Sequence, residues 1–461
     1  MGLRGYQEED VSKLRAAVKS GAKSILFEAS VGYGKSVVIE LLANAYSKAG
    51  KRVLVLSNRS AVVEQLAKRA SHLNNTTVTT VQAADRKRDL LTQNPADLVL
   101  VDEAHMGGGA AQYARVLECS PDALKIGFTG TPKPEVFDRF PAHVKGRDAK
   151  WLTKNGYLSP LKYVCPNPID LSKVKIRQGE YDPADVVEAL EKSKIYGRAI
   201  DAYKEFANGK PCLGFCVNVK HAETTAEEFR SSGVSCEVLT GKDKKADIER
   251  KIDFLKSGGL LLSVDKVSAG FDLPELPVIL VLRPTKSAQL WIQILGRVAR
   301  WFDGKTHGLV LDLVGNAMRL GTLTQERDWK SLETKQETTK TEDGQDLSIR
   351  TCDECMFVFE AGPSHCPECG SQLSKDRRIS KAESVRLREI EAAEIEAIAQ
   401  REKEQKKRLG QSIKQMRSWL GHAKAVENMR RRHEKAVRNG DADIAAFAAA
   451  ELNRVGVDVK S

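Results

Sequence analysis

From Gly21 onward, short continuous apolar runs alternate with longer stretches whose apolar residues recur at helical spacing. The runs SILFEA (24–29), KRVLVLS (51–57), LVLVDE (98–103) and KIGFTGTP (125–132) are separated by stretches such as VVIELLANAYSKAG (37–50) and AVVEQLAKRASHL (61–73). Strand-length runs that are apolar at nearly every position predict strands buried on both faces, as in a parallel sheet covered by crossover helices. A second series follows WLTKNGYLSP (151–160): CLGFCVN (212–218), a helix over His221–Ser231, CEVLTG (236–241), a helix around Ile248–Leu255, LLLSVD (260–265), PVILVLR (277–283) and GLVLDLVG (308–315). The fold class predicted is therefore α/β, with two similar domains in tandem at 1–158 and 159–330 and a cleft between them.

Beyond Asn316 the periodicity fades. ETKQETTKTEDGQD (333–346) reads as an exposed polar linker within 331–347, and a cysteine-bearing module follows at 348–374. The remainder, 375–461, is rich in Arg, Lys, Glu and Ala with little Pro or Gly, and reads as a charged helical tail ending in IAAFAAAEL (444–452).

Composition narrows the class. At 461 residues the chain exceeds what one hydrophobic core supports, and 41% apolar with 29% charged residues excludes a disordered or fibrous chain. No stretch approaches the ~18–20 consecutive apolar residues that cross a bilayer, and MGLRGYQEED at the N-terminus lacks an apolar signal core. The expectation is a cytoplasmic protein with no membrane partner. A formal net charge of +11 attracts polyanions, although basic proteins with other roles share that property. Of the cysteines, Cys119, Cys165, Cys212, Cys216 and Cys236 are scattered and read as reduced, partly buried thiols.

Three segments carry chemistry. EASVGYGKS (28–36) lies between a strand run and a helix run, the setting of a phosphate-binding loop. Gly32 and Gly34 let backbone N–H groups turn toward phosphate, Lys35 would reach the β- and γ-phosphates, and Ser36 would ligate Mg²⁺. VDEAH (101–105) ends a strand with adjacent carboxylates, suiting Asp102 to hold the metal and Glu103 to act as base on the attacking water. QILGRVAR (293–300) sets Arg297 and Arg300 three apart on one helix face, from which arginines can stabilise charge on a transferring phosphoryl group. On spacing alone, a surface salt-bridge role fits these arginines as well.

Taken in order over residues 3–316, these segments resemble superfamily 2 helicases of the DEAD/DEAH-box kind. LRGYQ (3–7) is similar to the adenine-reading element, with Gln7 as the contact, and EASVGYGKS to motif I, placing Ser30, Val31, Gly32, Tyr33, Gly34, Lys35 and Ser36 around ATP. VLSNRSAVVEQ (55–65), TTVQA (79–83), VDEAH, GFTGTP (127–132), LGFCVNVKHAE (213–223), LLSVDKVSAGFDLP (261–274) and QILGRVAR are similar to the motifs that follow. The run from Val281 to Asn316, the hinge KNGYLSP (154–160) and a cysteine module after the second lobe resemble RadD-type DNA-repair ATPases, relatives of the type III restriction helicase subunits. Motif I departs from that pattern, with Ala-Ser-Val in place of Pro-Thr-Gly. The resemblance implies two RecA-like lobes and DNA-dependent hydrolysis of ATP with Mg²⁺. It also implies that His105, Thr129, Thr131 and Gln293 couple nucleotide state to grip, and that Gly270 and Asp272 face the nucleotide. By motif position, Arg59, Thr80, Gln82, Asn218, His221, Thr240 and Lys266 are the candidates for contact with nucleic acid.

CDEC (352–355) and CPEC (366–369) have the spacing of a four-thiolate zinc site formed by Cys352, Cys355, Cys366 and Cys369, followed by Gly370 where a tight knuckle tolerates positive φ. What this ribbon touches, whether DNA, the second lobe or a protein partner, is left open by the pattern. The mixed-sign tail fits a solvated helix, and it also fits an arm that binds duplex or a partner helix. The function expected is an ATP-dependent helicase or translocase that remodels branched or partly single-stranded DNA in repair, recombination or replication. An RNA helicase is an alternative, because phosphate tracking does not reveal the sugar. A catalytically silent scaffold is another, and a restriction translocase is a third.

Overall fold

In this computed structural model the described residues are 3–58, 63–64, 66–67, 73, 75–105, 110–165, 169–264, 273–330, 349–352, 354–360, 363–372 and 433. They include both predicted α/β lobes, which lie in one compact unit spanning 1–384; residues 385–461 form a second unit. Apart from His433, the tail expected to be helical falls outside the described residues, as does the polar linker. None of the described helices is long and apolar enough to cross a membrane.

The first lobe is a parallel sheet of six strands: β1 (Ser24–Glu28), β2 (Val53–Ser57), β3 (Thr76–Thr80), β4 (Leu98–Asp102), β5 (Leu124–Thr129) and β6 (Ala142–Lys145), in the order β3-β2-β4-β5-β1-β6. The apolar runs are continuous because alternate residues serve different layers. Ile25, Phe27, Val53, Val55, Leu98 and Leu100 pack with Val38, Ile39 and Leu42 of the helix Lys35–Lys48. Leu26, Leu54, Leu56, Val99 and Val101 pack on the other face with Tyr113, Val116 and Phe140. Burial on both faces leaves no polar alternation to see in the sequence. The register Glu28↔Thr129 and Asp102↔Phe128 brings the carboxyl ends of β1, β5 and β4 level, at the edge where open parallel sheets bind ligands.

The second lobe begins with β7 (Leu161–Val164) and a small antiparallel pair, β8 (Ile176–Arg177) and β9 (Glu180–Tyr181). It continues through β10 (Cys212–Phe215), β11 (Cys236–Leu239), β12 (Leu260–Ser263), β13 (Val278–Val281) and β14 (Gly308–Asp312). Its sheet has eight strands, because β16 (Phe357–Glu360) and β15 (Ile349–Thr351) of the cysteine module extend it in the order β11-β12-β10-β13-β14-β7-β16-β15. The ribbon is therefore joined to the second lobe. β16 pairs antiparallel with β7 (Phe357↔Val164, Val358↔Tyr163), and Val358 is buried in that lobe's core. The Cys165 N–H donates to the Met356 carbonyl at 3.0 Å, and Lys162 pairs with Glu368 at 2.6 Å. β7, with the mixed sequence LKYV, has no continuous apolar run and was not expected as a strand; it is buried through its neighbours β14 and β16.

Candidate active site

The first lobe brings its motif residues to one sheet end. β1 runs into a loop in which Gly32 (φ +74°) and Gly34 (φ +91°) adopt left-handed backbone, and Lys35 opens the following helix. Lys35 Nζ donates to the Ala29 and Ser30 carbonyls at 3.2 and 3.3 Å, so the ammonium is already held over the loop. Gln7 is buried against the same loop. Its Nε2 donates to the Tyr33 carbonyl at 3.0 Å, and its Oε1 accepts from the Arg4 N–H at 3.0 Å. The Tyr6 hydroxyl donates to the Tyr33 carbonyl as well, at 2.8 Å.

Tyr33 turns its ring into the core, where its hydroxyl donates to Asp10 at 3.2 Å. Asp10 is fully buried and also accepts from the Arg147 N–H at 2.9 Å and from Lys13 at 2.7 Å. Burial pushes the Tyr33 phenol far above its usual range, with the Asp10 charge adding to the shift. This anchor carries no mark in the sequence, since neither a helix Asp nor an aromatic loop residue marks itself as part of the phosphate loop.

Asp102 ends β4 buried, and Glu103 beside it is half-buried with φ +50°. A non-glycine residue held in left-handed backbone costs about 1–2 kcal/mol, and such strain clusters where a side chain must be aimed. His105 and Thr129 meet at 2.6 Å between Nδ1 and Oγ1, and Thr129 Oγ1 also accepts from the Thr131 N–H at 3.1 Å. The Thr131 hydroxyl is buried and has no hydrogen-bond partner among the described residues.

The second lobe reaches across to these groups. Gln293, on the helix Ala288–Val298, has its Nε2 at 2.8 Å from His105 Nε2. With the amide donating, His105 Nε2 is the acceptor and Nδ1 carries the proton toward Thr129. Gly296 on the same helix faces the phosphate loop so closely that a Cβ there would lie 2.8 Å from Val31 Cβ. Arg297 occupies the last turn of that helix, but Arg300 does not share its helical face as the spacing suggested. The helix stops at Val298, and Arg300 is in extended chain bridged to Leu158. The Ser159 N–H donates to Ala299 O at 2.8 Å and its hydroxyl to Arg300 O at 3.1 Å, diverting the chain from the helix. Burial lowers the Arg300 pKa.

Leu158 closes the same gap from the interlobe linker KNGYLSP (154–160), its Cδ2 lying 2.5 Å from where a Cβ on Gly32 would stand. This interlobe linker is thus a wall of the cleft, a role its sequence did not signal. A glycine-bearing loop with Lys35 and Ser36, the carboxyls of Asp102 and Glu103 at a neighbouring strand end, and a helix of the facing lobe beside them are groups of the kind that suit phosphoryl transfer to water.

The candidates for nucleic-acid contact divide. Thr80 caps the helix Val81–Arg86 by accepting from the Ala83 N–H at 3.1 Å, with Gln82 half-buried beside it. Asn218 caps Val219–Ser231 by accepting from the His221 N–H at 2.8 Å, and Thr240 is tied to Asp243. His221 does not face the surface: it is 1% exposed, and its Nδ1 accepts from the Val217 N–H at 3.3 Å. Burial lowers its pKa to about 4, so it is a neutral core histidine. Arg59, Lys266, Gly270 and Asp272 lie outside the described residues.

In the cysteine module the four Sγ atoms lie within 4.8 Å of one another, with Cys352–Cys369 and Cys355–Cys366 each at 3.6 Å. Tetrahedral zinc with Zn–S near 2.3 Å spaces its sulfurs ~3.8 Å apart, whereas a disulfide needs ~2.05 Å. Two equivalent knuckles form the cluster, since Met356 (φ +59°) and Gly370 (φ +74°) each follow a C-x₂-C pair in left-handed backbone. The Ser371 hydroxyl holds the Cys369 thiol below its usual range, while burial raises the Cys355 and Cys366 thiols.

Two RecA-like lobes whose nucleotide elements meet across one cleft are the machinery of a nucleic-acid-dependent ATPase, and this chain is of that class. Residues 5–133 match the AAA domain family and 192–302 the helicase conserved C-terminal domain. A 51.5 kDa protein of Lactococcus phage (isolate 7-9) is 29% identical over 417 residues, covering 87% of this chain and 89% of the phage protein. The EcoKI type I restriction endonuclease subunit of Escherichia coli K12 is 25% identical over 65% of this chain, which spans only 33% of that longer subunit. A fragment assigned as an HsdR subunit of a type I restriction enzyme from Vibrio vulnificus YJ016 shares the fold, with a TM-score of 0.57, 19% identity, and coverage of 75% of this chain and 70% of the fragment. The chain belongs to the superfamily 2 helicases, of the restriction-helicase-like type.

Proposed function

We propose that this helicase hydrolyses ATP in the interlobe cleft to move on or remodel branched or partly single-stranded DNA. The observation that carries the reading is the helix Ala288–Val298 lying across the first lobe, with Gln293 bonded to His105 and Gly296 against Val31. In this reading Gln7 reads adenine, the 30–36 loop cradles the phosphates, and Ser36 and Asp102 hold Mg²⁺. Glu103 takes the proton of the attacking water, while Arg297 and Arg300 stabilise charge on the γ-phosphoryl group. By motif position Asp272 and Gly270, which lie outside the described residues, are assigned to the nucleotide as well. The chain Thr131–Thr129–His105–Gln293 passes the nucleotide state between lobes. DNA rather than RNA is favoured by the restriction-enzyme relative and by a fold neighbour of this chain, the restriction-modification enzyme LlaBIII, which is described as bound to DNA. The four cysteines hold a structural zinc.

The test is an ATPase panel with single-stranded DNA, forked DNA and RNA, run on wild type and Glu103→Gln. Stimulation by DNA, abolished by the substitution, is expected. Activation by RNA alone would reverse the assignment of the track, and full hydrolysis by Glu103→Gln would remove the base.

A further inference from the structure

One cation of the second lobe has no part in the chemistry assigned above. Lys305 follows the arginine-bearing helix and precedes β14, and its half-buried ammonium donates to three main-chain carbonyls: Val298 at 2.7 Å, Arg300 at 3.0 Å and Pro274 at 3.2 Å. The last carbonyls of a helix lack partners within it, and here no left-handed glycine follows to satisfy them, because the Ala299 cap keeps right-handed backbone. A cation at that end supplies donors and meets the negative end of the helix dipole. Three carbonyls converging on one point call for a compact ammonium with three hydrogens; a planar guanidinium fork cannot serve them together.

The placement matters because of what adjoins these carbonyls. Arg297 directly precedes Val298, and Arg300 carries one of the three, so the contacts fix the backbone beside both arginines. Pro274 ties that backbone to the segment just before β13, and Ser159 adds a linker donor on the Arg300 carbonyl.

We propose that Lys305 is a positioning residue for ATP hydrolysis, fixing the helix end and the extended turn so that Arg297 and Arg300 reach the nucleotide in register. This rests on the assignment of those arginines to the γ-phosphoryl group. Among the described residues the Lys305 ammonium bonds only within the second lobe, so its loss leaves the ATP cradle of the first lobe intact. A displacement of about 1 Å in catalytic groups costs up to about 100-fold in rate.

The experiment compares DNA-stimulated ATPase of the full chain for wild type, Lys305→Met, the double variant Arg297→Ala/Arg300→Ala, and the triple combination. Lys305→Met is expected to lower kcat about 10- to 100-fold with KM for ATP within about twofold. The triple variant should be no slower than the double, since a residue acting only through the arginines has nothing further to lose. Additive loss in the triple variant would make Lys305 a general structural support and overturn the proposal. A Lys305→Met enzyme at full kcat beside an inactive double variant would overturn it while leaving the arginines their role; a fully active double variant would remove that role itself. If thermal melting shows Lys305→Met unfolded at the assay temperature, Lys305→Gln, which keeps an amide donor, enters the same cycle with a smaller expected loss.

Discussion

Gly296→Ala separates stability from activity. The new methyl carbon would lie 2.8 Å from Val31 Cβ, 3.0 Å from Cγ2 and 3.3 Å from Cγ1. Carbon atoms rest at about 3.5–4.0 Å, so the facing surfaces must part by roughly 1 Å. Val31 cannot swing aside cheaply, because the nearest atom is its branched Cβ, one bond from the phosphate loop. Within the helix, alanine is favoured over glycine by about 0.8–1.0 kcal/mol, so the second lobe should melt no lower than wild type. Closure, by contrast, would leave Arg297 and Arg300 about 1 Å short, which corresponds to a loss of roughly 100-fold in kcat, or about 2.7 kcal/mol. Stopped-flow single-turnover hydrolysis with DNA present, alongside a thermal melt, reads both quantities. Adding Val31→Ala removes the two γ-carbons but leaves Cβ, and should recover activity only in part. A Gly296→Ala enzyme with wild-type turnover would refute the closed cleft as the hydrolysing state.

Three further outcomes follow from the same contacts. His221 is held neutral down to about 4, whereas an unfolded histidine protonates near 6.5, so the unfolded chain binds the extra proton between these values; the stability His221 contributes is complete above pH 6.5 and falls by about 3 kcal/mol as pH drops toward 4. Urea unfolding of wild type and His221→Gln across that window measures it, and identical acid sensitivity would exclude His221 as the cause. Tyr33→Phe removes the hydroxyl on Asp10 and should cost about 1 kcal/mol of stability and raise KM for ATP several-fold, since the loop loses its anchor; an unchanged KM would show the loop to be held without it. Stripping metal with a chelator should release about one zinc per chain and strip hydrogen-exchange protection from β16 and the edge of β7. No zinc in the purified protein, or unaltered protection at 161–165, would count against a metal-held hairpin.

Much of this was legible in the chain because parallel strands buried on both faces leave continuous apolar runs, and because glycine, lysine and acidic residues at strand ends mark phosphate chemistry. What escaped had no local mark. Arg300 matched a helical spacing, yet Ser159, 141 residues earlier, takes its carbonyl and turns the chain out of the helix. His221 sat at a motif position suited to a surface contact, but helix Val219–Ser231, capped by Asn218, turns the ring inward. Leu158 and Asp10 act through partners distant in sequence, and no periodicity encodes such partners.

The cysteine hairpin follows the same logic. β7 comes directly after the linker that touches Gly32 and Arg300, and without β16 it would stand as an open edge, with unpaired N–H and C=O groups beside the hinge. β16 (FVFE) covers that edge with its ladder bonds and with the buried Val358, and the four-cysteine cluster closes the hairpin that carries it. The chain therefore has reason to keep the four thiolates whatever track it follows. Loss of metal should disturb the second lobe, and with it ATP turnover, before it alters the choice of nucleic acid.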